Sequence, residues 1–124
     1  MPPREKISTE RRSDCPIAGA LDVVGDRWTL LVLRDLFRGK QRYGEFAESD
    51  EGIPTNLLAD RLARLEKLGL VTSELYQEKP KRYAYALTAQ GRTLKPILRE
   101  LALWGQQNVA GTQIRKEMAE LMGG

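Results

Sequence analysis

Two groups of side chains in this sequence have the chemistry to read and hold a nucleic acid. The first is the run Thr55, Asn56, Ala59, Asp60, Arg61 and Arg64. An Asn amide offers the paired donor and acceptor that suit an adenine edge, and a Thr offers a hydroxyl or a methyl. Arg64 can reach a guanine edge or a phosphate. Asp60 repels phosphate, so it either pairs with Arg61 or Arg64 or accepts from a cytosine amine. The second group is cationic, with Lys79, Lys81 and Arg82 in one cluster and Arg38, Lys40 and Arg42 in another. Such groups contact phosphates or lie along a minor groove, adding affinity with little direct sequence information.

The elements that must position these residues follow from periodicity. Pro16 suits the first turn of a helix, and Ile17, Ala20, Leu21 and Val24 continue it to Gly25. Asp26 is the expected N-cap of a second helix reaching about Phe37, apolar on nearly every side and hence central. A short third helix fits Tyr43 to Ser49. The fourth, over about 54–68, places Leu58, Leu62 and Leu65 at i, i+4 and i+7 on the core side. Thr55, Asn56, Ala59, Asp60, Ala63, Arg64 and Lys67 are left outside, and Gly69 is the expected stop. Val71, Ser73 and Leu75 alternate with Thr72, Glu74 and Tyr76 as in a half-buried strand. Pro80 sits in a basic turn, 77–82, and Tyr83, Tyr85 and Leu87 give a return strand one apolar side. Thr88 is read as the cap of one long helix from about Ala89 to Asn108, with a short final helix carrying Ile114, Met118 and Leu121. The fold class expected is mainly α with a small β-hairpin (α+β), a winged helix-turn-helix. Its parts are a flexible arm (1–13), the winged domain with dimerisation helices (14–110) and a short C-terminal helix (111–124).

Composition narrows the chemistry. In 124 residues, 20 Lys and Arg stand against 17 Asp and Glu, a net charge of +3 too mild to decide for nucleic acid by itself. There is no histidine and only one cysteine, so an internal disulfide is excluded and a structural zinc site is not expected. No glycine-rich phosphate loop and no recognisable carboxylate pair supports an enzyme, and no cofactor is expected. The N-terminus lacks a signal-peptide core and no apolar run reaches membrane-spanning length, so the expected location is the cytoplasm, without a membrane partner.

Six landmarks in order resemble the HxlR-type family of winged helix-turn-helix regulators. They are Cys15-Pro16, the run Gly25 to Thr29, the run Arg42 to Phe46, the run Leu65 to Val71, the run Tyr83 to Gly91, and Trp104. The resemblance covers about three quarters of the chain, from Cys15 to Trp104. Tyr43 stands where the family often has Phe, and Ala59 where Thr or Ser is common. The resemblance implies a homodimer, joined through N- and C-terminal helices, that binds a two-half-site DNA operator, and the function expected is a sequence-specific regulator, a repressor. It also makes Arg42, just before Tyr43, the leading backbone contact.

The apolar stripe of the last long helix is wider than a small core requires. Leu94, Leu98, Leu101 and Trp104 are expected to meet the same helix, or Ile17 and Leu21, of a second copy, the alternative being that Trp104 covers its own core. Cys15, near a helix N-terminus and close to Arg11 and Arg12, reads either as an oxidant or electrophile sensor, which the resemblance implies for some relatives, or as a structural thiol. A small-molecule effector would have to enter the dimer interface or modify Cys15. The competing reading is a protein-interaction adaptor that has lost DNA binding, and the surviving basic wing argues against it.

Overall fold

A computed structural model describes residues 6–123. Helices α1 (Pro16–Val24), α2 (Thr29–Phe37), α3 (Tyr43–Ala47) and α4 (Thr55–Lys67) precede an antiparallel hairpin, β1 (Val71–Glu78) and β2 (Lys81–Leu87). Helices α5 (Ala89–Arg92), α6 (Lys95–Asn108) and α7 (Ala119–Met122) follow, the last entered through a 3₁₀ turn over Lys116–Met118. The order gives the expected α-rich fold with a single hairpin.

The core gathers the buried faces of these elements. Helix α2 supplies Val32, Leu33, Leu36 and Phe37, and α4 supplies Leu58, Leu62 and Leu65, all buried. Phe46 of α3 packs edge-on against Tyr85 of β2, with ring centroids 6.3 Å apart. Leu121 closes the core from the C-terminal end. Gly69, at φ +81°, takes the left-handed conformation that ends α4 and turns the chain into β1. Gly91 sits so close to β1 that a Cβ there would lie 2.1 Å from the Leu70 carbonyl oxygen.

The hairpin pairs Val71 with Leu87 at its base and Glu78 with Lys81 at its tip, with a bulge at Tyr76. A fragment of a third strand joins it: Arg42 bridges to Ala84, and Tyr85 N–H donates to the Gln41 carbonyl at 2.7 Å. The wing is thereby stitched to the entrance of α3.

Several boundaries differ from the sequence reading. The single helix expected over 89–108 is two. Pro96 lacks an N–H and its ring would strike the carbonyl of Arg92, so the chain turns at Thr93-Leu94 before α6 begins. Asp26 does not directly precede its helix. Its carboxylate accepts from Trp28 N–H at 3.2 Å and from Thr29 Oγ1, organising a turn before α2 starts. Helix α3 ends at Ala47 rather than Ser49. Of the arm expected to be mobile, residues 1–5 lie outside the described residues. Over 6–13 there is no helix or strand, yet Ile7 packs against the core and Arg12 pairs with Asp22 at 2.8 Å.

Candidate nucleic-acid interface

Helix α4 starts directly after Pro54, with Leu58 of its first turn buried and the polar side chains of that turn outward. Thr55, Asn56, Ala59 and Asp60 are all exposed, on the side opposite Leu58, Leu62 and Leu65. The tip is anchored from α3, where the Tyr43 hydroxyl donates to the Thr55 carbonyl at 2.7 Å. Tyr43, half-buried, thus holds the tip in place. Helix α3, its turn and α4 form a helix-turn-helix pair in which the second helix carries the outward polar face.

The two arginines of the same helix face elsewhere. Arg64 donates to the backbone carbonyls of Val23 at 2.6 Å and Asp22 at 2.8 Å. Arg61 donates to Asp26 at 2.6 Å and to Asp60 at 2.5 Å. Partial burial raises the Asp26 carboxyl, but its hydrogen bonds from Thr29, Arg61 and Trp28 outweigh this and hold it below the usual carboxylate range. The Arg61 guanidinium is raised, chiefly through its bond to Asp26. Asp60 therefore takes the Arg61 alternative of those open in the sequence. Arg64 is occupied within its own chain rather than offered to a base or phosphate.

The cation cluster at 38–42 divides in the same way. Asp35 is buried and draws in Arg34 at 2.9 Å, Arg38 at 3.5 Å and Lys40 at 3.7 Å, and accepts a hydrogen bond from Ser49 Oγ. Arg34 continues to Glu51 at 2.8 Å, and that bond holds the Glu51 carboxyl below its ordinary range against the opposing effect of burial. Arg38 and Lys40, expected at the DNA backbone, thus neutralise a buried carboxylate and brace the turn between α3 and α4. Arg42 remains exposed, with its guanidinium 4.5 Å from the centre of the Tyr76 ring. Glu45 accepts from the backbone N–H groups of Gln41 at 3.1 Å and Arg42 at 3.0 Å, which lowers its carboxyl and fixes the start of α3.

At the wing tip Lys79, Lys81 and Arg82 are exposed and belong to no ion pair among the described residues. Gln77 steadies the turn by donating to the carbonyls of Lys79 and Pro80, both at 3.3 Å. Together with Arg42 and Tyr76 they make a cationic flank beside α3. Sequence reasoning read Asp26 as a helix cap but missed its pair with Arg61, and it missed Tyr76, for which there was no signal before the bulge was known.

The apolar face expected to join two copies is also re-sorted. Ile17, Leu21, Leu101 and Trp104 are exposed, Trp104 by 61%. Leu98 is only 7% exposed and Leu94 packs against the core, so both serve their own protomer. Ile97 joins the exposed set. Cys15 is exposed at the start of α1, its N–H donating to Ser13 Oγ at 3.2 Å. Among the described residues no cluster of three or more His, Cys, Asp or Glu is placed to hold a metal ion. No helix among them is long and apolar enough to cross a membrane.

Residues 23–113 match the profile of the HxlR-like helix-turn-helix family. The chain belongs to that family. It is 40% identical over 84 residues to the HTH-type transcriptional regulator sll1512 of Synechocystis sp., covering 68% of this chain and 62% of that protein. The chain thus spans less than two thirds of that relative's length. It is 35% identical over 97 residues to the HTH-type transcriptional regulator YybR of Bacillus subtilis, covering 78% of each. Among solved structures it is similar to the redox regulator HypR in its oxidised form, with a TM-score of 0.69, 34% identity, and coverage of 81% of this chain and 100% of that one.

Proposed function

We propose that this HxlR-like protein is a sequence-specific DNA-binding transcriptional regulator of the cytoplasm, acting as a homodimer on an operator of two half-sites and repressing. The observation that carries the reading is an exposed polar helix tip, Thr55, Asn56, Ala59 and Asp60, standing beside a wing whose Lys79, Lys81 and Arg82 belong to no ion pair among the described residues. In the major groove the α4 tip reads base edges, with Asn56 placed for an adenine and Thr55 for a thymine methyl or a hydroxyl contact. The wing and Arg42 hold the backbone or the adjacent minor groove. Arg61, Arg64, Arg38, Lys40 and Tyr43 support this surface from behind.

The dimer joins the exposed apolar faces of α1 and α6 through Ile17, Leu21, Leu101 and Trp104, with Ile97 added. A twofold arrangement spaces the two tips by about 34 Å, one turn of DNA. The exposure of Cys15 at the head of α1, together with the likeness to a protein named a redox regulator, supports a second reading in which oxidants or electrophiles act through this thiol. No small-molecule effector beyond such reagents is assigned.

The test is selection of duplexes from a random pool by the full-length protein, followed by titration of variants. Asn56→Ala is expected to relax preference at one operator position, costing about 1–3 kcal/mol, while Lys81→Ala weakens all sequences alike. Unchanged operator affinity in both variants contradicts the site assignment. Operator binding by Cys15→Ser that remains as oxidant-sensitive as the wild type removes the thiol reading.

A further inference from the structure

We infer that Arg61 and Arg64 are positioning residues that lock the recognition helix to the C-terminal end of α1 and so set the separation of the two base-reading tips. The inference rests on the dimeric reading above. Arg64 satisfies two carbonyls at the end of α1, Asp22 and Val23, where a helix leaves acceptors without intrahelical partners and favours a cation. The planar guanidinium fork binds both at once and so fixes an angle as well as a distance. Arg61, on the adjoining turn of α4, reaches Asp26 in the turn after α1. Asp26 also accepts from Trp28 N–H and Thr29 Oγ1, so α1, α2 and α4 meet at one polar joint.

This joint matters because the hold on α1 is concentrated at its C-terminal end, where Val24 is buried, Val23 packs against the core and Asp22 pairs with Arg12. Val24 is its only buried residue, while Ile17 and Leu21 are exposed on its surface. A partner seated on those side chains fixes α1, and through the two arginines a fixed α1 fixes α4. The joint lies five to nine residues along α4 from Asn56 and Thr55, about 8–14 Å at the helical rise, clear of the tip. The arginines thus act on DNA through the orientation of the helix.

The experiment uses the full-length protein and duplexes built from its selected operator, one with a single half-site and others with the half-site separation changed by one or two base pairs. Wild type is expected to prefer one separation by about tenfold, since each added base pair rotates one half-site away from a rigid pair of tips. Arg64→Met keeps the apolar stem and removes both hydrogen bonds. It is expected to bind the single half-site within about twofold of wild type and to lose most of the separation preference. Arg64→Lys, with one charge and no fork, falls between. If Arg64→Met does not fold by its melting curve, Arg61→Gln carries the same test. An undiminished separation preference in the folded variants overturns the inference, as does a half-site affinity that falls as far as that of the full operator. A wild type indifferent to separation overturns the dimeric reading instead.

Discussion

The salt dependence of operator binding distinguishes the surface found here from the one a count of basic residues suggests. Among the described residues Arg42, Lys79, Lys81 and Arg82 are the exposed cations of the wing flank outside ion pairs, whereas Arg38 and Lys40 are bound to Asp35. Four cations per protomer make eight in a dimer, which at about 0.9 per phosphate gives a log–log slope near −7. Including Arg38 and Lys40 would give about −11. Between 50 and 200 mM salt the first slope costs about four orders of magnitude in affinity. Lys81→Ala removes two contacts, so the slope relaxes by about 1.8, and affinity at 0.1 M falls by roughly 60-fold when referred to 1 M salt. Arg38→Ala leaves the slope nearly unchanged. Fluorescence anisotropy with a labelled operator across 50–200 mM potassium chloride gives all three slopes. A wild-type slope shallower than about −3, or Arg38→Ala shifting it as much as Lys81→Ala, refutes the reasoning.

Other perturbations test the surrounding structure. Trp104 is 61% exposed, leaving about 90–150 Å² of its surface open, or roughly 2–4 kcal/mol per protomer at 25 cal/mol per Å² before association costs. Trp104→Ala should weaken the dimer by at least about tenfold in sedimentation velocity with little change in melting temperature. The lowered carboxyls of Asp26 and Glu51 contribute stability above the ordinary carboxylate range, near pH 4, and lose it as pH falls through their folded values. Urea midpoints should therefore drop below about pH 4, with a shallower acid limb in Asp26→Asn and Glu51→Gln. Gly91→Ala should destabilise the fold by about 1–3 kcal/mol in urea titration, because its Cβ would strike the backbone of Leu70.

What the sequence made legible was periodic. Leu58, Leu62 and Leu65 announce the buried side of α4 at helical spacing, and their complement gives the exposed tip without coordinates. The hairpin was equally plain, since Pro80 in a polar turn separates two alternating runs. Partners chosen across the fold were not legible. Arg64 reaches carbonyls 41 and 42 residues away, and no spacing rule reports which helix flanks α4. Arg38 and Lys40 look like free cations until Asp35 is known to be buried between them. The break before α6 was visible in Pro96, but which residues of its apolar stripe the core would claim, Leu94 and Leu98 rather than Leu101 and Trp104, was not.

Protection of purine N7, at adenine as well as guanine, from chemical modification on the selected operator tests base reading by the α4 tip most directly. The account predicts two protected major-groove patches, centred about one helical turn apart on one face of the duplex, with the pattern altered at one position in each half-site by Asn56→Ala. Protection spread evenly along the duplex, or a footprint that Asn56→Ala leaves untouched, would contradict it.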